Sequence, residues 1–327
     1  MSGASAVATL RRITTTLPRP RVSVLRDYGI VVSFIALFVT LSVASPVFFT
    51  RVNLLNVVDQ SAAVGLIACG GTLVIIAGGF DLSVGGIYAI SGVVAAEAVP
   101  LVGPWPAIVL GALAGAGFGL CNGLLTTVGR INPIITTLAT ALMIRGLAVA
   151  ITGGFLVRVD DPAYAILGTN GFGGVRYTTY LFIAFAIGTA VLLSRTTLGR
   201  AIYASGGNAE AARLSGIRVG VVRATTFVVS GLGAGLAGVM ISSRVATGQA
   251  DTGVGIELTA IAAVVIGGTS ILGGEGAIWR SVLGVLLLTL IGNGFNLLNV
   301  NPTYQQIFQG AIILGAVAID AWSRRSS

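Results

Sequence analysis

Stretches of about 20 apolar residues recur along nearly the whole of this chain, and they constrain its fold more than any other feature. A stretch of that length is what an α-helix needs to cross the hydrocarbon core of a bilayer. Charged residues make up only 9% of the 327 residues, whereas a soluble domain carries about 25%. Too few charges are present to cover a water-facing surface, so we predict an all-α polytopic membrane protein.

Ten stretches qualify as membrane helices, at about residues 29–48, 60–78, 83–99, 106–129, 131–152, 177–194, 224–243, 256–272, 281–298 and 304–321. The first is longer than the apolar core of a signal peptide, so we interpret it as an uncleaved membrane helix. The predicted membrane domain covers residues 29–321. It lies between a basic tail of residues 1–28 and a short tail of residues 322–327.

The arginines predict the orientation of these helices. All 19 basic residues are arginines. Fourteen lie in tails and loops on one side, four in the loops of the other side, and one, Arg145, within a predicted helix. Cytoplasmic loops carry an excess of basic residues, so both ends of the chain are predicted to be cytoplasmic. This bias accounts for the net charge of +8 without nucleic acid binding.

The absence of lysine and histidine excludes several functions. A Walker phosphate loop and a Schiff base need lysine, and a histidine-ligated metal site needs histidine. The two cysteines, Cys69 and Cys121, fall in apolar stretches without a CxxC pair, which favours a packing role. We predict no catalytic residue, no metal site and no cofactor bound by this chain.

One polar segment, GGNAEAARLSG at residues 206–216, lies in the predicted cytoplasmic loop 195–223. Asn208 can cap a two-turn helix, Glu210 complements its dipole, and Gly216 can end it in a left-handed conformation. Its small side chains suit a tight cleft on another protein. The alternative is an amphipathic helix that lies on the membrane surface.

Five stretches together resemble the permeases of ribose-type ABC importers. They are LGRAIYASGGNAEAARLSGI (198–217), AGGFDLSVGGIYAISG (77–92), NPIITTLATALMIRGLA (132–148), ELTAIAAVVIGGTSILGGEGAI (257–278) and NPTYQQIFQGAIIL (301–314). The resemblance runs from about residue 29 to 321. It implies an ABC type II importer permease fold in the cell inner (plasma) membrane, with a monosaccharide or similar small polyol as cargo.

The same resemblance implies partners. Two permease copies, as a homodimer, would form the path, an extracytoplasmic binding protein would deliver the sugar, and a cytoplasmic ATPase would bind ATP and magnesium. The polar segment would be the coupling helix that docks in a groove of that ATPase. The residues implied in coupling are Gly206, Gly207, Asn208, Glu210, Ala211, Ala212, Arg213 and Gly216.

Two further positions leave alternatives open. Asp81 and Ser83 interrupt an apolar stretch, either as an N-cap in a tight cytoplasmic turn or as a gate or hinge contact. Arg145 costs about 2.5–3.5 kcal/mol near a bilayer centre, so it should face protein or water. It could pair with a carboxylate, bind backbone carbonyls or contact a polyhydroxyl substrate.

Uncharged polar residues outline a candidate substrate path, because amides and hydroxyls both donate to and accept from sugar hydroxyls. The alternative is hydrogen bonding between helices, worth about 0.6 kcal/mol each. With Arg145, the candidates are Asn122, Asn132, Thr136, Thr137, Thr140, Asn293 and Asn296.

Glycine spacing yields two structural predictions. Gly111, Gly115 and Gly119 recur every four residues, as do Gly231 and Gly235, which predicts close helix packing. The segments VIIAGGFDLSVGG (74–86) and VVIGGTSILGG (264–274) resemble each other and hint at a duplicated architecture.

An ion-coupled secondary transporter is the alternative function. It needs ionisable groups deep in the bundle, whereas Asp81, Glu97, Glu257 and Asp320 lie near predicted segment ends. A membrane enzyme would need an aspartate or serine mechanism, and the sequence shows no carboxylate pair for one.

Overall fold

The computed structural model describes the backbone of residues 22–301 and of eight further positions between 304 and 315. It contains α1 Val22–Ala44, α2 Arg51–Ile76, α3 Val84–Val102, α4 Pro104–Thr127, α5 Pro133–Thr152, α6 Pro162–Thr169, α7 Tyr177–Arg195, α8 Thr197–Gly207, α9 Ala209–Leu214, α10 Val219–Val245, α11 Ile256–Ile266 and α12 Ile278–Leu297. Residues 1–21 of the predicted basic tail, the predicted tail 322–327, Asp320, and much of the tenth predicted segment lie outside the described residues. The last seven residues of the predicted 1–28 tail belong to α1, which begins at Val22 and not at residue 29.

Seven of the helices in residues 22–301 are long and apolar enough to cross a membrane, namely α2, α3, α4, α5, α7, α10 and α12. The apolar part of α1 at Gly29–Ala44 and the whole of α11 are shorter apolar helices. The polytopic all-helical prediction is therefore confirmed, while the count of ten stays a prediction.

Three helices form the centre of the bundle. The apolar windows of α2, α3 and α10 are 61–78% buried, whereas those of α4, α5 and α7 are only 22–33% buried. Large apolar side chains such as Leu142, Met143 and Ile187 are exposed on the outer helices. A helix that is apolar all round and exposed is suited to lipid, so the outer helices have surfaces that are compatible with the membrane interior.

The predicted glycine packing is confirmed between α4 and α10. A Cβ atom placed on Gly115 would lie 2.5 Å from the Gly231 carbonyl oxygen and 2.7 Å from the Gly235 Cα. On the same face, Gly111 meets Val239 and Gly119 meets the Phe227 backbone. Close backbone approach of this kind supplies dispersion contacts where lipid removes the hydrophobic drive.

Several predicted boundaries were wrong. α2 begins at Arg51, nine residues before the predicted start at residue 60, because Thr50 caps it by accepting a hydrogen bond from the Asn53 N–H. α11 ends at Ile266 instead of residue 272, because Gly268 takes a left-handed conformation with φ +81°. The predicted loop 195–223 contains two helices, α8 and α9, and α10 already begins at Val219.

The connection between α5 and α7 contains the helix α6, which is anchored to the bundle. The Tyr164 side chain is fully buried, and its hydroxyl lies 2.7 Å from the Ser242 Oγ of α10. Two-residue strands complete this end, with β1 (Val157–Arg158) antiparallel to β4 (Thr247–Gly248) and β2 (Gly171–Phe172) to β3 (Val175–Arg176).

The sequence similarity between residues 74–86 and 264–274 has a counterpart in backbone geometry. Gly78 and Gly268 follow α2 and α11 with φ +82° and +81°. The amides of Gly78 and Gly268 donate to the carbonyls of Ile75 and Val265, at 2.9 and 2.8 Å. Both helices therefore end in the same glycine-dependent turn, which supports the prediction of a duplicated element.

Candidate functional site

The helix α9 has the local structure that its sequence predicts. The Asn208 Oδ1 accepts hydrogen bonds from the backbone N–H groups of Glu210 and Ala211, at 3.1 and 2.9 Å. Gly216 follows the helix with φ +85°, a conformation that favours glycine. Both ends of this six-residue helix are thus fixed by local bonds.

Most of α9 points away from the rest of the chain. Ala212 is its buried residue, at 4% exposure, while Leu214 is 82% exposed. Glu210 and Arg213 form an exposed ion pair at 3.2 Å. A leucine beside small alanines and a charged pair is a surface that a complementary groove could cover.

The two glycines at the end of α8 differ in their surroundings. Gly207 is exposed, and a Cβ placed on it would meet nothing within 4 Å. A Cβ placed on Gly206 would lie 2.6 Å from the Gly274 amide nitrogen and would also overlap the Ile76 carbonyl oxygen. The predicted coupling residues therefore face two ways, since Gly206 faces the bundle and α9 points away from it.

Asp81 lies at the centre of a buried polar network in the turn between α2 and α3. Its Oδ1 accepts hydrogen bonds from the Ser83 N–H and hydroxyl, at 3.1 and 2.5 Å. Its Oδ2 accepts one from the Ser230 hydroxyl at 2.8 Å, and the Asn122 side-chain amide donates to the Ser83 Oγ at 2.7 Å. The network joins this turn to α4 and α10.

The simple N-cap interpretation of Ser83 is wrong. Ser83 precedes α3, but its φ and ψ of −81° and −11° are helical and its side chain makes no capping bond. Its hydroxyl donates to Asp81 instead. Burial raises the pKa of Asp81, and hydrogen bonds from Ser83 and Ser230 oppose that rise.

The polar residues of α5 do not all share one environment. Asn132 is exposed and caps the helix by accepting from the Ile134 N–H at 2.9 Å. Thr136 and Thr137 are buried, Thr140 is half-buried, and the Thr137 and Thr140 hydroxyls donate to carbonyls of their own helix. The Thr136 Oγ1 has no hydrogen-bond partner among the described residues.

Arg145 lies half-buried on α5, where its Nη1 donates to the Thr252 carbonyl oxygen at 3.4 Å. Of the three predicted partners, the described structure therefore shows a backbone carbonyl, held by a long bond. Thr252 belongs to the connection between α10 and α11, so Arg145 links this connection to α5.

Asn293 and Asn296 lie far from Asn122. Asn293 forms a reciprocal amide pair with Asn53 at the start of α2, at 3.2 and 2.8 Å. Asn296 is exposed and accepts from the Gln305 amide at 2.9 Å. Because the 26 residues of α2 rise about 39 Å, the Asn53–Asn293 pair and the Asp81–Asn122 network lie at different depths in the bundle.

A buried ionic cluster was missed by the sequence analysis. The Asp59 carboxylate of α2, 7% exposed, accepts hydrogen bonds from Arg244 of α10 at 2.9 Å and from Arg176 at 3.0 Å. It also accepts from the Thr178 hydroxyl of α7. The predicted start of the second helix at residue 60 left Asp59 in a loop, so it was not considered as a buried group. In the predicted topology, Asp59, Arg176 and Arg244 all lie at loop ends on the same side of the membrane. That common position could have predicted an ion pair between them.

Comparison with known proteins agrees with the predicted family. Residues 53–317 match the family described as "Branched-chain amino acid transport system / permease component". The chain is 38% identical over 301 residues to the L-arabinose transport system permease protein AraH of Escherichia coli (strain K12), which covers 92% of each chain.

Two other relatives give the same result. The ribose import permease protein RbsC of Bacillus subtilis (strain 168) is 41% identical over 300 residues, covering 91% of this chain and 93% of the relative. The L-arabinose ABC transporter permease protein AraH of Azospirillum brasilense is 39% identical over 300 residues, covering 90% and 88%. No solved structure shows significant similarity to the chain.

Proposed function

We propose a transport function for this chain, which belongs to the family described as "Branched-chain amino acid transport system / permease component". It moves a monosaccharide or similar small polyol. A separate ATPase drives this movement through the helix at residues 208–216. The chain is a multi-pass inner-membrane permease subunit of an ABC importer for monosaccharides. Similarity to named ribose and arabinose permeases over about 90% of the chain is the observation that carries the sugar assignment.

The proposed topology has ten membrane helices with both termini in the cytoplasm, in an ABC type II importer fold, with the membrane domain at residues 29–321. The arginine distribution supports it, since Arg195, Arg200, Arg213, Arg218 and Arg223 all belong to the α7–α10 connection or its edges. In this orientation α8 and α9 lie on the cytoplasmic side, and the Asp59 cluster lies toward the outside.

The proposed role of α9 is to dock on the ATPase and transmit its motion. A helix that transmits force must keep its shape, and the Asn208 cap and the left-handed Gly216 hold both of its ends. The exposed pair Glu210–Arg213 and the exposed Leu214 supply the contact surface. ATP and magnesium would bind the ATPase and not this chain.

The remaining partners are proposed on the family relationship. An extracytoplasmic sugar-binding protein would deliver the cargo, and a second copy of this chain would complete the path as a homodimer. The weak burial of α5, 22% of its apolar window, leaves this helix free to contact such a copy or lipid. This chain itself would have no enzymatic activity.

The substrate path is proposed along α5, with Arg145, Thr140 and Thr136 in order from the outside toward the cytoplasm, together with Asn122 of the neighbouring α4. The Thr136 hydroxyl, which has no hydrogen-bond partner in the described part of the chain, and the weakly bound Arg145 retain hydrogen-bonding capacity for a sugar. Asn293 has a reciprocal partner in Asn53, so the structure favours an interhelical role for it.

Purification of the tagged protein from its host's membranes in mild detergent tests the proposal. We expect a stoichiometric ATPase subunit that is lost from Glu210→Arg and Gly216→Pro variants, which should still insert in the membrane but not take up sugar. An Asp160→Arg change in the exposed loop before α6 is the control that keeps the ATPase. A lone protein that transports in proteoliposomes without ATP would overturn the proposal and favour the ion-coupled alternative.

A further inference from the structure

We propose that motion of α9 enters the membrane domain mainly through a backbone contact between three glycine-containing segments, which Arg223 ties together. We call this contact the glycine junction and define it by Gly78, Gly206, Gly273 and Gly274. Its role rests on the proposed coupling function. Gly206 and Arg223 act in it as positioning residues, through the backbone and not by touching the ATPase.

The first two segments of the junction are the turns that end α2 and lead into α12. The Gly274 N–H donates to the Ile76 carbonyl oxygen at 2.8 Å, which joins the two turns directly. A Cβ placed on Gly273 would lie 3.1 Å from the Gly78 Cα. The two segments that resemble each other in sequence therefore pack against each other.

The third segment is the end of α8, which lies over the hydrogen bond between those two turns. A Cβ on Gly206 would lie 2.6 Å from the Gly274 nitrogen and would overlap the Ile76 oxygen. Any side chain at position 206 would thus clash with both the donor and the acceptor of this bond. The Tyr203 hydroxyl, one turn earlier in α8, donates to the Gly276 carbonyl at 2.7 Å and holds α8 to the same segment.

Arg223 of α10 connects two of these segments by hydrogen bonds. Its Nε donates to the Ala77 carbonyl at the end of α2 at 2.9 Å, and its Nη2 donates to the Ser205 carbonyl of α8 at 3.3 Å. One rigid guanidinium therefore joins α8 to the turn after α2. Because its donors have a fixed geometry, a shift of α8 cannot be absorbed by rotating one bond.

The surroundings of α9 explain why motion would pass through this point. Ala212 is the buried residue of α9, and Asn208 connects the helix directly to Gly207 and Gly206. At its other end α9 leads through Ile217 into α10, the helix that carries Arg223, so both ends of α9 reach the glycine junction.

Backbone packed on backbone has no side-chain rotamers that could yield. A displacement of α9 is therefore passed to the turn after α2. Three residues beyond Gly78 lies Asp81, which accepts hydrogen bonds from Ser83 just before α3 and from Ser230 of α10.

The test compares matched pairs of variants in the full transporter, reconstituted with its ATPase and sugar-loaded binding protein. Arg223→Gln removes the tie, and Arg218→Gln removes an exposed arginine nearby. Gly206→Ala inserts a methyl group into the junction, and Gly220→Ala inserts one where the nearest atom is 3.7 Å away. Sugar uptake, ATP hydrolysis and the amount of bound ATPase are measured for each.

We expect Arg223→Gln and Gly206→Ala to retain the ATPase subunit and its basal hydrolysis while the sugar moved per ATP falls about tenfold or more. Arg223→Gln loses two hydrogen bonds from a charged donor, which is sufficient for that change. Gly206→Ala displaces α8 from the Gly274–Ile76 bond, because the added methyl group clashes with both atoms. Arg218→Gln and Gly220→Ala should match the wild type, and Arg223→Lys should recover part of the uptake because an ammonium can reach one of the two carbonyls.

Wild-type sugar-to-ATP ratios in both Arg223→Gln and Gly206→Ala would overturn the inference. Loss of the ATPase subunit from both variants would overturn it too, because the two residues would then serve docking. Failure of the proposed function is distinguished by the wild-type protein itself, which in that case comes without an ATPase or transports without ATP.

Discussion

Gly115→Ala tests whether the contact between α4 and α10 depends on backbone approach. The added Cβ would lie 2.5 Å from the Gly231 carbonyl oxygen and 2.7 Å from the Gly235 Cα. An unstrained contact needs about 3.5 Å, so the two helices must separate locally by about 1 Å. Both obstacles are backbone atoms that cannot rotate away, so the cost should lie near the upper end of the overpacking range, at about 3 kcal/mol.

Gly117→Ala is the matched control on the same helix, because a Cβ at Gly117 meets nothing within 4 Å. Both changes gain the same helix propensity, about 1 kcal/mol, so the difference between them isolates the packing cost. We would measure the free energy of unfolding in mixed micelles by titration with a denaturing detergent, following tryptophan fluorescence. Equal stability of the two variants would refute the backbone-contact argument.

Two further changes probe the buried polar contacts. Asp59→Asn removes the charge that faces Arg244 and should cost about 2 kcal/mol, less than for a fully buried pair because Arg244 is 23% exposed. Asp160→Asn, whose carboxylate is 90% exposed, should leave the unfolding midpoint unchanged, and equal effects would contradict the burial argument. Asn53→Leu and Asn293→Leu should each cost about 1–3 kcal/mol. The double variant should lose less than their sum in the same assay, and strict additivity would contradict direct pairing.

Much of the fold follows from local pattern. The apolar stretches predict the membrane helices because the transfer free energy of a segment is a sum over its own residues. The α9 helix and its capping residues were predicted, since the Asn208 side chain bonds to amides only two and three residues away. The glycine face of α4 was predicted because a spacing of four places residues on one side of a helix.

The start of α2 shows where local sequence pattern is insufficient to predict a helix boundary. The start of α2 contains Asn53 and Asp59, which are buried because Asn293 and Arg244 satisfy them. In the sequence alone, a polar residue without an evident partner predicts a loop. When a partner on another helix satisfies that residue, it can lie in a buried helix instead. The partner lies on another helix, so the sequence window around residue 59 could not reveal it.

The sequence by itself determined the class of protein, the lipid-compatible helices, the glycine packing face and the capped α9, because each depends on residues within a few turns of one another. Only the tertiary structure decided that Asp59 meets Arg244 across 185 positions and that Gly206 lies over the bond between Gly274 and Ile76. It also showed that Gly206 packs against the bundle while the adjacent Gly207 is exposed. Those contacts depend on how helices are placed against one another, and the packing free energy that places them is shared among many side chains and has no local signature.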